Sequence, residues 1–304
     1  MESSTNNILF RVPPRDIYDI RKIYNLEKPG RIEQAVNILE SWILKQNHII
    51  KKDFSKKFLE MALISCKGSV EKAKKQIDRL CTMKALLPKF FSKTNVMTEL
   101  QDLLKIGKLV PLPVLTDDFY RIIMIQINNK ELTDDLVRVR ESDEYETHRT
   151  GRYGVVWLMS NSGHVSVGVM MMMINHVQTY LQEGYGARLK SINVLTESKA
   201  VEMLVNILKQ ILSEKISKRI HVQRSLEDVY KVIPKELLPI DYGGKQRSID
   251  ALHADVVKEL SSPKHVEYVK MMFKACTDET RRHAGKFNEE YVGMPGSFRC
   301  LSVD

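Results

Sequence analysis

The sequence predicts an α/β protein in which an all-helical bundle precedes a domain of alternating strands and helices. Three observations carry this expectation. Apolar residues recur at helical spacing between Arg31 and Lys84. Composition then shifts to short β-branched runs, YRIIMIQI at Tyr120–Ile127, VVWLM at Val155–Met159 and SINVL at Ser191–Leu195. Helix-period segments separate those runs, and that alternation argues for a sheet with crossover helices. A chain of 304 residues suits one large domain or two sharing an interface. The expected divisions are an extended arm at 1–14, a helical domain at 15–95, a sheet domain at 96–245, and a C-terminal helix and tail at 246–304.

Pro13 and Pro14 end the arm. Arg31–Gln46 then carries Ile32, Ala35, Val36, Leu39, Trp42 and Ile43 on one helical face, and Lys52–Ser65 carries Phe54, Phe58, Leu59, Ala62 and Leu63. Ser69, after Gly68, reads as the N-cap of a helix to Lys84 that turns Val70, Ala73, Ile77 and Leu80 inward. Lys72, Lys74, Lys75 and Arg79 are its solvated face. Pro88 closes the block. Beyond the first strand, ELTDDLVRVRESDEYETHRT at 131–150 is so charged that any helix there is short. GHVSVGVMMMMINHVQTYLQEGY at 163–185 places Met170–Met173 on every side of a helix. Methionine adapts to varied apolar shapes, so this helix suits either plain core or the wall between a core and a cavity.

Residues 185–221 organise the rest. They read as a strand (Lys190–Leu195), a turn (Thr196–Ser198) and a long helix running to about 219. Val201, Leu204, Val205, Leu208, Ile211 and Leu212 share one face, while Ala200, Met203 and Ile207 widen the stripe beyond the needs of a single core. Arg188 and Lys190 precede the helix, and Lys215, Lys218 and Arg219 follow its apolar part. One reading is a partly buried helix with a solvated basic end. The other is a movable lid, with an inner face over an apolar cavity, outer apolar residues against a bilayer, and basic flanks on anionic lipid. LLPIDYGG at Leu237–Gly244 reads as a tight turn, and 246–276 includes a further amphipathic helix.

The net charge of +9 favours polyanionic partners. Nucleic acid is not expected, because Tyr185 is the one aromatic near Arg188–Lys190 and none accompanies Lys72–Arg79. Cys66, Cys81, Cys276 and Cys300 lack metal-ligand spacing. With no secretory leader they read as reduced thiols of a cytoplasmic protein, with no metal or cofactor. No apolar run approaches the roughly 18 residues of a membrane span, so membrane contact is transient and peripheral. There is no GxSxG, phosphate loop, HExxH or CxxC. His164 among Ser160, Ser162 and Ser166 reads as a turn histidine. These patterns describe a binding protein and no enzyme.

Several segments together are similar to one family. CKGSVEKAKKQIDRLCTMKALLPKFF (66–91) resembles the helical domain of the CRAL-TRIO lipid-transfer proteins, particularly their insect α-tocopherol-transfer-protein-like branch. GVVWLMSNSGHV (154–165), GYGARLKSINVLTES (184–198), ILSEKISKRIHV (211–222), LLPIDYGG (237–244) and GMPGSFRCLSVD (293–304) resemble later segments of that branch, in the right order. The resemblance implies a mixed β-sheet floor with helices on one face and a mobile gate helix, about 199–219, on the other. It implies a dry pocket for one tocopherol, retinoid, carotenoid or phospholipid-like molecule. The implied wall is Trp157, Met159, Val177, Tyr180, Leu181, Tyr185, Leu189 and Ile192, with Leu208 and Leu212 of the gate; Met170, Met173, Val201, Leu204 and Val205 complete the candidate set. Ser160, Tyr180, Tyr185 and Asn193 are the polar partners on offer to a headgroup.

Phosphoinositide binding would fall on Arg188, Lys190, Lys215 and Arg219, while a further basic position of the family is Met61 here. The chain also departs from the pattern at Ser160, where the family has Asp, at Tyr185-Gly186 (Tyr-Pro), and at Thr196-Glu197-Ser198 (Asn-x-Pro). Losing proline at 186 and 198 loosens two turns. The expected function is transfer of a hydrophobic ligand between membranes. The alternative is a divergent, non-transferring member acting as a membrane or protein interaction module.

Overall fold

The structure, a computed structural model, describes residues 13–86, 88, 95–99, 107–127, 152–159 and 188–282, with the backbone alone at Glu99, Ile127, 152–159, Arg188 and Ile211. Helix α1 (Pro14–Ile23) opens on a proline, whose missing N–H is no loss in a first turn. In α2 (Arg31–Lys45) the buried residues are Ala35, Val36, Leu39 and Ile43, on the face that the spacing predicts. Helix α3 (Lys56–Ser65) starts four residues later than expected. Ser55 decides this: its hydroxyl accepts from the Phe58 N–H at 3.1 Å, a helix cap. Phe54 stays in the lead-in, stacked 5.1 Å from Phe58. Ser69 caps α4 (Val70–Leu86) as predicted, and Ala73, Ile77 and Leu80 are buried. These four helices share a core around Leu39, Ile43, Leu59, Leu63 and Ile77. A single turn, α5 (Val96–Glu99), follows.

The sheet runs β1 (Gly107–Leu115), β2 (Arg121–Ile127), β3 (Arg152–Met159), β4 (Arg188–Leu195) and β5 (Ile220–Gln223), in that spatial order. The β1–β2 pair is antiparallel and the other pairs are parallel, so the sheet is mixed. The sequence reading contains neither β1 nor β5. Pro111 and Pro113 argue against a strand, yet β1 lies at the sheet edge, where proline is tolerated, and its register breaks between Pro111 and Leu115. The buried Arg121 guanidinium donates to the Leu112 carbonyl at 2.8 Å and to that of Pro113 at 3.3 Å, satisfying acceptors beside the break.

The C-terminal part divides between the two cores. Two helices stand where one was expected, α9 (Ile249–Leu260) and α10 (Pro263–Phe273). Ser262, accepting from the His265 N–H, and Pro263 make the break. From α9, Ile249, Leu252 and Val256 enter the sheet core; from α10 and its exit, Met272 and Ala275 enter the helical core. The chain then crosses the bundle, with a bridge between Ile49 and Thr277 and a 2.7 Å bond from the Asp278 N–H to the His48 carbonyl. Arg282 grips Asp78 with two nitrogens, at 2.8 and 3.0 Å, and Glu279 with its Nε at 2.8 Å. The start of the expected tail, 277–282, is therefore an anchored strap. Cys66, Cys81 and Cys276 form no disulfide, and burial pushes the Cys81 thiol up to about 12, which keeps it unreactive.

The turn at Leu237–Gly244 is tight, as read. Tyr230 Oη donates to the Tyr242 carbonyl at 2.9 Å, and Gly243 has φ of 71°. A Cβ on Gly244 would overlap the Leu238 carbonyl oxygen, which is backbone and cannot swing aside. Gly244→Ala is expected to cost about 1–3 kcal/mol in urea unfolding, the usual range for overpacking. The arm to residue 12, the 131–150 segment, the Met170–Met173 run and Cys300 lie outside the described residues.

Candidate functional site

Three short helices complete the sheet domain: α6 (Lys199–Ile211), α7 (Glu214–Ser217) and α8 (Leu226–Tyr230). Helix α6 is the expected gate. It starts where the sequence places it, because Ser198 accepts from the Val201 N–H. The turn before it has side-chain anchors in place of the family's proline: the Ser198 N–H donates to Thr196 Oγ1 at 3.2 Å, and the Thr196 N–H to the Gln223 carbonyl at 3.0 Å. Arg224 adds a bidentate pair to Glu202 in the first turn of α6, at 2.8 and 2.9 Å. The amino end of α6 is thus fastened to the chain leaving β5.

This helix does not run to 219, the end expected for the gate. It stops at Ile211, because Leu212 and Ser213 are extended, with ψ of 157° and 144°. Ile216 of α7 is then buried, and the chain turns directly into β5. A four-residue strand at the end of an amphipathic run leaves little periodicity to distinguish it from more helix.

Within α6, Val201, Leu204, Val205 and Leu208 are buried, the last two completely. They join one core with Leu189 and Ile192 of β4, and Leu212 packs against it. A register shift between β3 and β4 pairs Tyr153 with Leu189 but Val155 with Ile192. This extra residue puts both candidate wall positions of β4 on the same face. Trp157 aligns with Ile125 and Val194, and Met159 with Ile127, in the backbone register. Asn193, a candidate headgroup partner, is buried and already engaged, donating to Ser191 Oγ and accepting from Gln223 Nε2. Ser160, Met170, Met173, Val177, Tyr180, Leu181 and Tyr185 lie outside the described residues. The outer face of α6 is apolar as well, with Met203 66% and Ile207 46% exposed.

Three of the four candidate basic residues fall at or just before the starts of the parallel strands β4 and β5. Arg188 and Lys190 start β4, Arg219 immediately precedes β5, and its carbonyl accepts from the Ile192 N–H at 2.7 Å. Lys215, on α7, is exposed. Lys190 is not idle: its Nζ pairs with Asp118 of the β1–β2 turn and lies 4.9 Å from the centroid of Tyr120. Asp118 was not among the candidates, since its partner is 72 residues away. Met61, where the family has a basic residue, packs against the helical core. Among the described residues, no His, Cys, Asp and Glu group could hold a metal, and no helix is long and apolar enough to cross a membrane.

Fold and site together define a two-part protein, a helical bundle joined to a mixed sheet against which a helix with two apolar faces packs. The sequence profile of the CRAL/TRIO domain matches residues 138–244, and that of the Pinta-like, UBA domain matches residues 28–100. Residues 138–244 therefore read as a CRAL/TRIO domain, a domain whose family typically binds and transfers lipophiles. It is similar to an alpha-tocopherol transfer protein-like protein of Mus musculus, 23% identical over 261 residues that make up 78% of this chain and 75% of that one. It is also similar to an alpha-tocopherol transfer protein-like protein of Homo sapiens, 31% identical over 93 residues, 27% of each chain. Among solved structures, Sfh5 aligns over 90% of this chain and 99% of its own, with 11% identity and a TM-score of 0.43.

Proposed function

We propose that this protein binds one hydrophobic molecule, of tocopherol, retinoid, carotenoid or phospholipid-like chemistry, and transfers it between membranes with α6 as the gate. The observation that carries this reading is the two-sided apolar character of α6. Its inner face belongs to the sheet core, and Met203 and Ile207 stand in solvent on the other side. A helix serving only as core has no use for that outer pair, whereas a gate that lies down on a bilayer keeps them buried as it opens. Withdrawing about 400 Å² of ligand surface from water contributes on the order of 10 kcal/mol, so spontaneous release is slow and an opening step is required. Arg188, Lys190, Lys215 and Arg219 supply the docking charge, each adding about 1 kcal/mol near an anionic leaflet.

Native mass spectrometry of the purified protein, followed by organic extraction, tests the carrier reading. A stoichiometric hydrophobic adduct is expected. A clean apo mass that stays unchanged after incubation with tocopherol, retinoids, carotenoids and phospholipids would instead support a non-transferring interaction module. Replacing the four basic residues together by alanine is expected to weaken binding to anionic vesicles and slow transfer at least tenfold, with little change in ligand affinity away from membranes. Equal transfer by variant and wild type on anionic vesicles would remove these residues from the mechanism.

A further inference from the structure

We infer that Asp118 is an intramolecular stand-in for a lipid phosphate, holding Lys190 in the free protein and yielding it only to a more highly charged headgroup at the membrane. This inference rests on the docking role proposed for Lys190. The contact is tertiary, bringing the β1–β2 turn onto the start of β4 across 72 residues of sequence. The turn that presents Asp118 is well fixed. The Thr116 N–H donates to the Tyr120 carbonyl at 2.9 Å, the Phe119 N–H to the Thr116 carbonyl at 2.7 Å, and the Tyr120 N–H to Thr116 Oγ1 at 3.0 Å. Phe119 takes φ of 62° to close it. The Tyr120 ring lies beneath the same ammonium, which favours a cation there whichever anion completes the site.

Exposure makes the pair exchangeable. The Lys190 side chain is 50% exposed and that of Asp118 59%, so the contact is a surface ion pair open to competition by solvent, salt and external anions. A carboxylate carries one negative charge. A singly charged phosphodiester headgroup displaces it with no gain in charge, whereas a phosphomonoester, with a charge near −1.5 to −2, gains on exchange. Asp118 therefore acts as a threshold. It suppresses docking on membranes rich in singly charged lipid and spares docking on those with inositol phosphomonoesters.

The test is vesicle co-sedimentation at fixed salt, with phosphatidylcholine vesicles containing either phosphatidylserine or a phosphatidylinositol bisphosphate. Asp118→Asn, Lys190→Ala and the double variant are compared with the full-length wild type, with matched melting temperatures confirming that each folds. Asp118→Asn is expected to tighten binding to phosphatidylserine vesicles about fivefold, and to bisphosphate vesicles by about twofold or less. The double variant is expected to bind like Lys190→Ala. An unchanged Asp118→Asn beside a weakened Lys190→Ala would overturn the inference and leave the docking role standing. A gain of the same size in the Lys190→Ala background would also overturn it, since general charge would then be the cause. Lys190→Ala indistinguishable from wild type on both vesicles would remove the docking role itself, and the inference with it.

Discussion

Arg282→Ala lowers stability by about 3–5 kcal/mol in urea unfolding at neutral pH, the expected cost of removing one member of a buried ion-pair network. The Arg282 side chain is 10% exposed and that of Asp78 11%. Burial alone would lower the Arg282 pKa, but hydrogen bonds with Glu279 and Asp78 hold it above its ordinary value. Without it, the buried Asp78 keeps, among the described residues, only His48 as an ion-pair partner, at 2.8 Å, and Glu279 loses its fork. Lysine cannot serve both carboxylates with one planar group, so Arg282→Lys falls between wild type and alanine. A loss under about 1 kcal/mol would mean that the strap is solvated and dispensable.

The same network sets a pH dependence. At Glu279, burial would raise the pKa, but bonds from Arg282 and Thr277 outweigh it and hold the carboxyl below its ordinary 4.5. A depressed folded-state value contributes stability above the unfolded value, and that contribution is lost as pH falls through the folded one. Thermal stability of the wild type therefore falls more steeply below pH 4.5 than that of Glu279→Gln.

The second large effect lies in α6, the helix proposed as the gate. Leu208 has no exposed surface and sits where α6 meets the sheet core. Leu208→Ala is expected to cost about 2–5 kcal/mol, combining lost transfer energy with the cavity left behind. Met203→Ser, on the 66% exposed outer side of the same helix, is expected to stay within about 0.5 kcal/mol of wild type while slowing vesicle transfer. Chemical denaturation separates the two. A Leu208→Ala cost under about 1 kcal/mol would place that side chain against open space, and the seating of α6 on the sheet would then owe little to packing on its inner face.

Elements with their own periodicity and stop signals were legible in the sequence. Helix α2 buries the face predicted from spacing, α4 starts at the predicted cap, β2 falls within a residue of its β-branched run, and β4 ends with its run after starting three residues before it. Elements whose identity depends on a distant neighbour were not legible. Edge placement lets β1 carry Pro111 and Pro113, and pairing with β4 turns Ile220–Gln223 into a strand. The inward face of α6 was readable for the same local reason as α2. The β4 register shift, the Arg224–Glu202 fastening and the Asp118–Lys190 pair were hidden, because each joins residues that periodicity does not relate. The break at Leu212–Ser213 was masked by apolar residues that continue the helical pattern on paper.

The C-terminal strap has a consequence for biosynthesis. Met272, Ala275 and Arg282 complete a bundle whose remaining core ends near Met83, and Arg282 reaches Asp78 across 204 residues. A ribosome adds about 5–20 residues per second, so the first helices to emerge wait roughly 10–40 s for their last partners. During that interval the nascent bundle presents an open apolar seam beside an Asp78 that still lacks its Arg282 partner. Its final closure is tied to completion of the sheet domain made in between, so the first part to be synthesised is among the last to be finished.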